Sequence, residues 1–343
     1  MPDYLRSFRS VPNTLAYHWR RNSWLFDPRR FFSNHEKVEI RKPIFFLGDQ
    51  GGGLTLIGRM IRRNPSVVSI SGDHTYWSGP DEMQRVMELR LPKSLKLSRL
   101  PIRVEVKHDH LTAPRSWSYA TDELLGAYRK TAADYVPEEA DVFRSLIREA
   151  IHRFGSNRKD VRFFDKSQVY TVKLSLINEI LKDSDPYFVL VTRNPYVACY
   201  RAAQGKALDM KRYAEHMSLE ERVELCAQHW SNAMDAALND GGAVKRFTTL
   251  RFEDVLASPS KQIQSLCDFL DIEFDDDMLP QPHHRIPFGS RFPDRWYPLR
   301  KDVNSRYLEQ VPCALLKIID QRCAETAHAL GYERPAALLD EQR

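Results

Sequence analysis

Three consecutive glycines, Gly51, Gly52 and Gly53, stand where an apolar run, residues 44–47, gives way to Leu54, Ile57, Met60 and Ile61 at helical spacing. A strand that turns through glycines into a helix makes an anion site. The backbone comes close to a ligand there, and the unpaired N–H groups and positive dipole end of the helix favour phosphate or sulfate. Gly48, Gly53 and Thr55 fall in the register of the GxxxxGK[ST] nucleotide loop, but Leu54 stands at the lysine position. Leucine cannot neutralise the charge of a transferring phosphoryl group, so triphosphate hydrolysis is not expected, while a backbone cradle for a nucleotide survives. Arg193, directly after the apolar run 187–192, carries a fork that suits a phosphate bidentately. Lys166 follows the apolar run 161–164 in the same way. Asp73 and His74 lie in the polar cluster SGDHTYW, residues 71–77, at the end of an apolar run, a usual place for site residues in an α/β sheet.

These residues all follow segments that read as strands. Short apolar or alternating runs at 44–47, 67–70, 102–106, 161–164, 187–192 and 247–252 are separated by helical patterns at 54–61, 81–100, 122–154, 172–181, 220–238 and 261–270, and a last helix is expected over 308–330. Strands that alternate with helices predict an α/β fold, a P-loop-like parallel sheet flanked by helices in a single domain, with polar clusters at strand ends as the usual place for a site. That domain is expected over residues 43–343. Residues 1–42 mix arginines with aromatics, among them Tyr4, Phe8, Trp19 and Trp24, and read as an arm that packs on the domain or rests on lipid headgroups. The proline-rich, basic stretch 280–298 reads as a long surface loop. His108 and His110 share one face of an expected strand, but no other ligand-rich motif accompanies them and no metal site is expected.

Four blocks together resemble the sulfotransferases that use 3′-phosphoadenosine 5′-phosphosulfate, particularly the broad branch that contains tyrosylprotein sulfotransferases and many bacterial and carbohydrate enzymes. Residues 44–65 are similar to that family's strand, GxPRSGTT loop and following helix, with RRNP in place of the closing HP. Asp165, Lys166, Ser167 and Gln168 resemble its EKTP block. Residues 188–201 resemble IxLVRDPRxVAxS, and 250–270 resemble RYEDLVxDPxxxLxxLxxFLGL. The order and spacing of all four agree. The resemblance implies one α/β domain that moves a sulfuryl group from the nucleotide donor to an acceptor hydroxyl of a glycan, a lipid or a small molecule, with no metal. It also implies roles. The backbone N–H groups of Gly51, Gly52, Gly53, Leu54 and Thr55 would hold the 5′-phosphosulfate, Arg193 would bind the 3′-phosphate, and the family's acidic residue after the second strand falls on Asp73 or His74.

The departures fall in the glycine loop. The family's basic residue lands on Gly51, its serine on Gly52 and its first threonine on Leu54. Lys166 is the expected substitute for the missing cation, because a leaving oxygen without a charged partner would lose several kcal/mol of transition-state stabilisation. The family's serine in the 3′-phosphate block falls on Arg201 by direct count, or on Tyr200 if the block is one residue shorter; a second arginine there suits a phosphate. Ser290, Trp296, Arg300 and Lys301 lie in a segment similar to the one that closes over the donor, and Arg251 matches the arginine of RYED as a structural residue.

Composition bounds the rest. With 343 residues, 42% of them hydrophobic and 28% charged, the chain has the balance of a globular protein, and its net charge of +5 suits an anionic ligand without choosing one. No apolar run is long enough to span a bilayer, and the N-terminus lacks a signal-peptide pattern. A cytoplasmic location is expected, with peripheral membrane contact through the arm and no nucleic-acid partner. The five cysteines are widely spaced, without a CxxC pair, and read as reduced core thiols. Two rivals accompany the transferase reading: a nucleotide-binding protein on the same fold that has lost catalysis, suggested by Gly51 and Leu54, and a P-loop kinase or NTPase.

Overall fold

The computed structural model describes residues 35–73, 82–84, 118–155, 160–206, 210, 215–281 and 299–339. Among the described residues five strands, β1 (Ile44–Gly48), β2 (Val67–Ser69), β3 (Arg162–Asp165), β4 (Tyr187–Thr192) and β5 (Phe247–Arg251), form one sheet in the order β2-β3-β1-β4-β5. Every pairing is parallel, with Ile44 opposite Phe164 on one side and Gly48 opposite Val191 on the other. The helices are α1 (Leu54–Arg62), α2 (Asp122–Tyr128), α3 (Pro137–Phe154), α4 (Leu174–Leu181), α5 (Pro195–Arg201), α6 (Leu219–Gly241), α7 (Phe252–Ala257), α8 (Pro259–Leu270), α9 (Val303–Leu308), α10 (Cys313–Ala329) and α11 (Ala336–Leu339).

The central strand explains why its sequence is apolar without a gap. Ile44 and Phe46 face a core shared with α1, α7 and α8, whereas Phe45 and Leu47 face a larger core shared with α3, α4, α5, α6 and α10. A parallel strand covered on both faces needs apolar side chains in both directions. Phe45 alone lies within 6.4 Å of the rings of Phe143, Phe163, Tyr170 and Phe188.

Strand order then fixes where a site can sit. From β1 the chain crosses toward β2, whereas from β4 it crosses the other way to β5. The loops after the adjacent strands β1 and β4 therefore diverge and leave a crevice at their carboxyl ends, the usual ligand position in an open α/β sheet. Those two loops hold the glycines and Arg193.

Two expectations change, and others fall outside the described residues. The closing helix expected over 308–330 is two helices, α9 and α10, because Pro312 caps the second and cannot continue the first. The helix expected from 172 begins at Leu174, after a 3₁₀ turn over Gln168–Val172. The strand at 102–106, nearly all of the helix at 81–100 and the loop 282–298 lie outside the described residues, as do residues 1–34 of the arm. Cys199, Cys226, Cys267 and Cys323 are buried free thiols, Cys313 is a partly exposed one, and none is in a disulfide. Among the described residues no helix is long and apolar enough to cross a membrane.

Candidate active site

The glycine loop leaves β1 under tight constraint. Gly48 has φ 142°, and a Cβ there would meet the Val191 carbonyl oxygen at 2.3 Å; its N–H donates to Thr171 Oγ1 at 2.8 Å. Asp49 is buried beside His229, Oδ1 to Nε2 3.3 Å, and the opposite ring nitrogen of His229 accepts the Ala120 N–H at 3.1 Å. The loop then closes with the Gly52 N–H on the Asp49 carbonyl at 3.1 Å, and Gly53 caps α1 in the left-handed region at φ 102°.

This geometry turns four N–H groups loose. Among the described residues the amides of Gly51, Gly53, Leu54 and Thr55 have no hydrogen-bond acceptor. They stand at the start of a nine-residue helix, where unpaired donors and the dipole both attract an anion. Among the described residues a Cβ on Gly51 would meet nothing within 4 Å. The Leu54 side chain turns away into the core under α1, which confines its role to its amide, while Thr55 is exposed on the first turn.

Gly53 is required for a second reason. A Cβ there would lie 2.2 Å from Phe252 Cδ2, and φ 102° already disfavours an L side chain. We expect Gly53→Ala to destabilise the fold by about 2–4 kcal/mol, from the backbone penalty plus overpacking against Phe252. Urea unfolding measures it, and an unchanged midpoint would contradict this packing.

Across the crevice, β4 ends in a short turn that α5 terminates: Asn194 Oδ1 accepts the Tyr196 N–H at 3.0 Å and Pro195 occupies the first helical turn. The turn leaves Arg193 4% exposed, over the Phe252 ring at 4.9 Å. Its Nη1 donates to the Gly51 carbonyl at 2.9 Å, and its Nε and Nη2 donate to Asn304 Oδ1 at 3.0 and 2.6 Å. Arg193 thus ties the glycine loop to α9. Asn304 in turn donates to Glu253, whose carboxylate also accepts the Asn194 N–H at 3.0 Å and the Tyr332 hydroxyl at 3.1 Å.

A second guanidinium stands close by. Burial first, and then the positive charge of Arg201, push Arg193 down to about 10, still fully charged at neutral pH. Arg201 lies over the Tyr307 ring at 4.6 Å, and its buried Nε has no hydrogen-bond partner among the described residues. An orphaned buried guanidinium N–H beside another arginine is a donor set short of an anion.

Lys166, expected at a strand end, is 4% exposed. Its stem runs past α1 at Gly58, and Nζ meets Glu82 Oε1 at 3.2 Å. Residues 82–84 are stitched to the end of β3: Asp165 accepts the amides of Met83 and Ser167 at 2.6 and 2.7 Å, and Ser167 Oγ accepts that of Gln84 at 3.0 Å. Burial raises the Asp165 carboxyl to about 6 against the pull of its hydrogen bonds to Ser167 and Met83, with the charge of Glu82 adding to the rise.

Protonation of Asp165 is linked to folding stability. Because the folded value lies above the unfolded value of 3.8, the folded state holds more protons between about pH 4 and 6, and this residue stabilises the fold more as pH falls through that window. Among the described residues Glu82 and Tyr170 are titratable groups whose charge couples to it. The stability gap between wild type and Asp165→Ala should therefore be wider at pH 5 than at pH 7 in urea unfolding. A gap independent of pH would contradict it.

Of the other sequence-predicted residues, Asp73 ends the turn after β2, where the Gly72 carbonyl accepts from Arg62 Nη2 at 3.3 Å. Arg300 and Lys301 are exposed on the turn before α9. His74, Ser290 and Trp296 lie outside the described residues. Arg251 donates to the Gly331 carbonyl at 2.8 Å and covers the Tyr332 ring, which is a structural role. Sequence reasoning missed Asn304 and Glu82. Asn304 sits three positions beyond Lys301 with no motif of its own, and Glu82 pairs across 84 positions, for which no local signal exists. Glu253 was within reach, since it belongs to the RFED block. Among the described residues no group of His, Cys, Asp and Glu side chains could hold a metal ion.

Comparison with known proteins agrees with the fold. The fold is similar to that of the sulfotransferase domain from the curacin biosynthetic pathway, with a TM-score of 0.52 and 17% identity over 87% of this chain and 100% of that one. It is also similar to the sulfotransferase STF9 from Mycobacterium avium, with a TM-score of 0.53 and 14% identity over 92% of this chain and 82% of that one. No curated protein matches the sequence. The sequence profile of the sulfotransferase family matches residues 43–276, a span that holds the glycine loop, Lys166, Arg193 and Arg201, and the chain belongs to that family.

Proposed function

We propose that the protein transfers a sulfuryl group from 3′-phosphoadenosine 5′-phosphosulfate to an acceptor hydroxyl. One observation carries this reading: four unpaired amides at the glycine loop face a crevice that also holds Arg193 and the orphaned Arg201 Nε. Two anion sites at neighbouring strand ends suit a nucleotide with anionic groups at both its 5′ and 3′ positions. Among the described residues nothing lies within 4 Å of a Cβ built on Gly51, so the residues present fit such a donor.

When bound, the donor supplies an activated sulfuryl group on its 5′-phosphate. The amides of Gly51, Gly53, Leu54 and Thr55 hold that end through backbone alone, with the Thr55 hydroxyl as a further donor. Arg193 and Arg201 hold the 3′-phosphate, which requires Arg193 to exchange its contacts with Asn304 for phosphate oxygens. Ser290, Arg300 and Lys301 are the residues of the late segment in this proposal that meet the donor. The Lys166 ammonium stands in for the cation absent at Gly51 and stabilises negative charge that grows during transfer. The acceptor is a hydroxyl on a glycan, a lipid or a small molecule, and Asp73 and His74 are the proton acceptors that the family resemblance offers.

A second reading, a nucleotide-binding protein without catalysis, rests on the side-chain-free loop and on Leu54 pointing into the core. Both readings share the donor site. Calorimetry tests it: adenosine 3′,5′-bisphosphate should bind at least tenfold more tightly than adenosine 5′-monophosphate, and equal affinities would contradict the site.

A further inference from the structure

The fork of Arg193 is filled by a side chain of the protein's own. Nε and Nη2 form the edge of a guanidinium that meets a phosphate bidentately, and both donate to one atom, Asn304 Oδ1, at 3.0 and 2.6 Å. Nη1 donates to the Gly51 carbonyl at 2.9 Å, and the face of the group lies over Phe252. A phosphate can therefore reach that edge only where Asn304 now stands. The amide has one orientation. Its Nδ2 donates to Glu253 Oε1, and because a carboxylate only accepts while a guanidinium only donates, the amide oxygen must face Arg193. Glu253 is held without it, since Oε1 also accepts the Asn194 N–H at 3.0 Å and Oε2 the Tyr332 hydroxyl at 3.1 Å. Tyr307, one turn further along α9, covers only the face of Arg201, whose Nε keeps no hydrogen-bond partner among the described residues.

Resting on the transfer reading above, we infer that Asn304 occupies the seat of the 3′-phosphate on Arg193 and so sets how much that phosphate contributes to nucleotide affinity. In the donor-free protein its amide oxygen satisfies the fork, which keeps a buried charge from standing without an acceptor. A phosphate that enters takes the same two N–H groups, and Asn304 gives way. The exchange favours the phosphate, which carries charge and meets the fork with two oxygens in parallel, where Oδ1 serves both N–H groups alone. Only the difference between the two sets of bonds appears as affinity. Asn304 thereby lowers the pull of the fork on every nucleotide with a 3′-phosphate and leaves nucleotides without one untouched. A neutral amide suits this place: it compensates the fork at rest yet yields to an anion, as a carboxylate paired with Arg193 would not.

Calorimetry on the full chain tests it, with adenosine 3′,5′-bisphosphate and adenosine 5′-monophosphate as probes and Asn304→Ala as the variant. The bisphosphate should bind Asn304→Ala more tightly than wild type, on the order of tenfold, and the monophosphate should stay within about twofold of wild type. A residue that merely supported Arg193 would move the bisphosphate the other way. The gain should also depend on the fork: Asn304→Ala added to Arg193→Ala should change bisphosphate affinity by less than about twofold. If Asn304→Ala does not fold, Asn304→Ser serves instead, because its shorter side chain gives up the fork and the same gain is expected. Unchanged or weaker bisphosphate binding by the variant, equal gains for both nucleotides, or a gain that survives without Arg193 would each overturn the inference. Wild type that binds the two nucleotides equally would overturn the donor site itself, a different outcome from any of these.

Discussion

Replacing Lys166 with alanine should lower the turnover number for sulfuryl transfer on the order of 10²–10³-fold and leave bisphosphate affinity within about threefold. The reason lies in the loop. A cation at Gly51 would sit directly against the 5′-phosphosulfate, but Gly51 has no side chain and Leu54 is folded into the core. Amides bind an anion at rest and follow its growing charge only weakly. An ammonium in a water-poor site does more, because a full charge close to a leaving oxygen is worth several kcal/mol there. On the proposed reading, binding and turnover should therefore separate, with the loop amides and two arginines expected to carry the first and Lys166 the second. Because Lys166→Ala removes the ammonium beside the buried Glu82 carboxylate, the double variant Lys166→Ala/Glu82→Gln controls for stability. Steady-state kinetics beside calorimetry decide the matter, and a variant that lost affinity and turnover in proportion would place Lys166 in donor binding instead.

The second large effect belongs to Arg193. Alanine there should weaken adenosine 3′,5′-bisphosphate by about 3 kcal/mol, on the order of 100-fold, and adenosine 5′-monophosphate by much less. Charge-assisted bidentate bonds are the strongest polar contacts available to a phosphate, and Arg193 is held for them by the Phe252 ring. Some loss of 5′ binding is also expected, because Arg193 Nη1 supports the Gly51 carbonyl and with it the shape of the loop. Lysine should rescue little, since it has neither the planar fork nor reach to Gly51 and phosphate together. Equal losses for both nucleotides would show that Arg193 only props the loop.

Much of the frame was legible because it depends on local chemistry. Continuous apolar residues at 44–47 and 187–192 can only be strands covered on both faces, and three glycines before a helical pattern have few uses besides a close approach of backbone to ligand. Arg193 followed from its place at a strand end. What depends on distant neighbours was hidden. That Gly53 must lack a side chain is decided by Phe252, about two hundred positions away. The pairing of Lys166 with Glu82 is a product of how 82–84 docks on β3. The break between α9 and α10 was readable from Pro312 alone, yet apolar residues continue at helical spacing on both sides and mask it. That break matters, since it frees α9 to carry Asn304 and Tyr307 onto the two arginines.

The central claim is that a phosphosulfate loop stripped of side chains still serves a working transferase. Incubation of the protein with labelled 3′-phosphoadenosine 5′-phosphosulfate and the lipid, glycan and protein fractions of a cell lysate, followed by mass spectrometry, tests it most directly. A product heavier by one sulfuryl group in at least one fraction, absent when Lys166→Ala replaces wild type, is the predicted result; tight binding of the bisphosphate with no sulfated product in any fraction would contradict it.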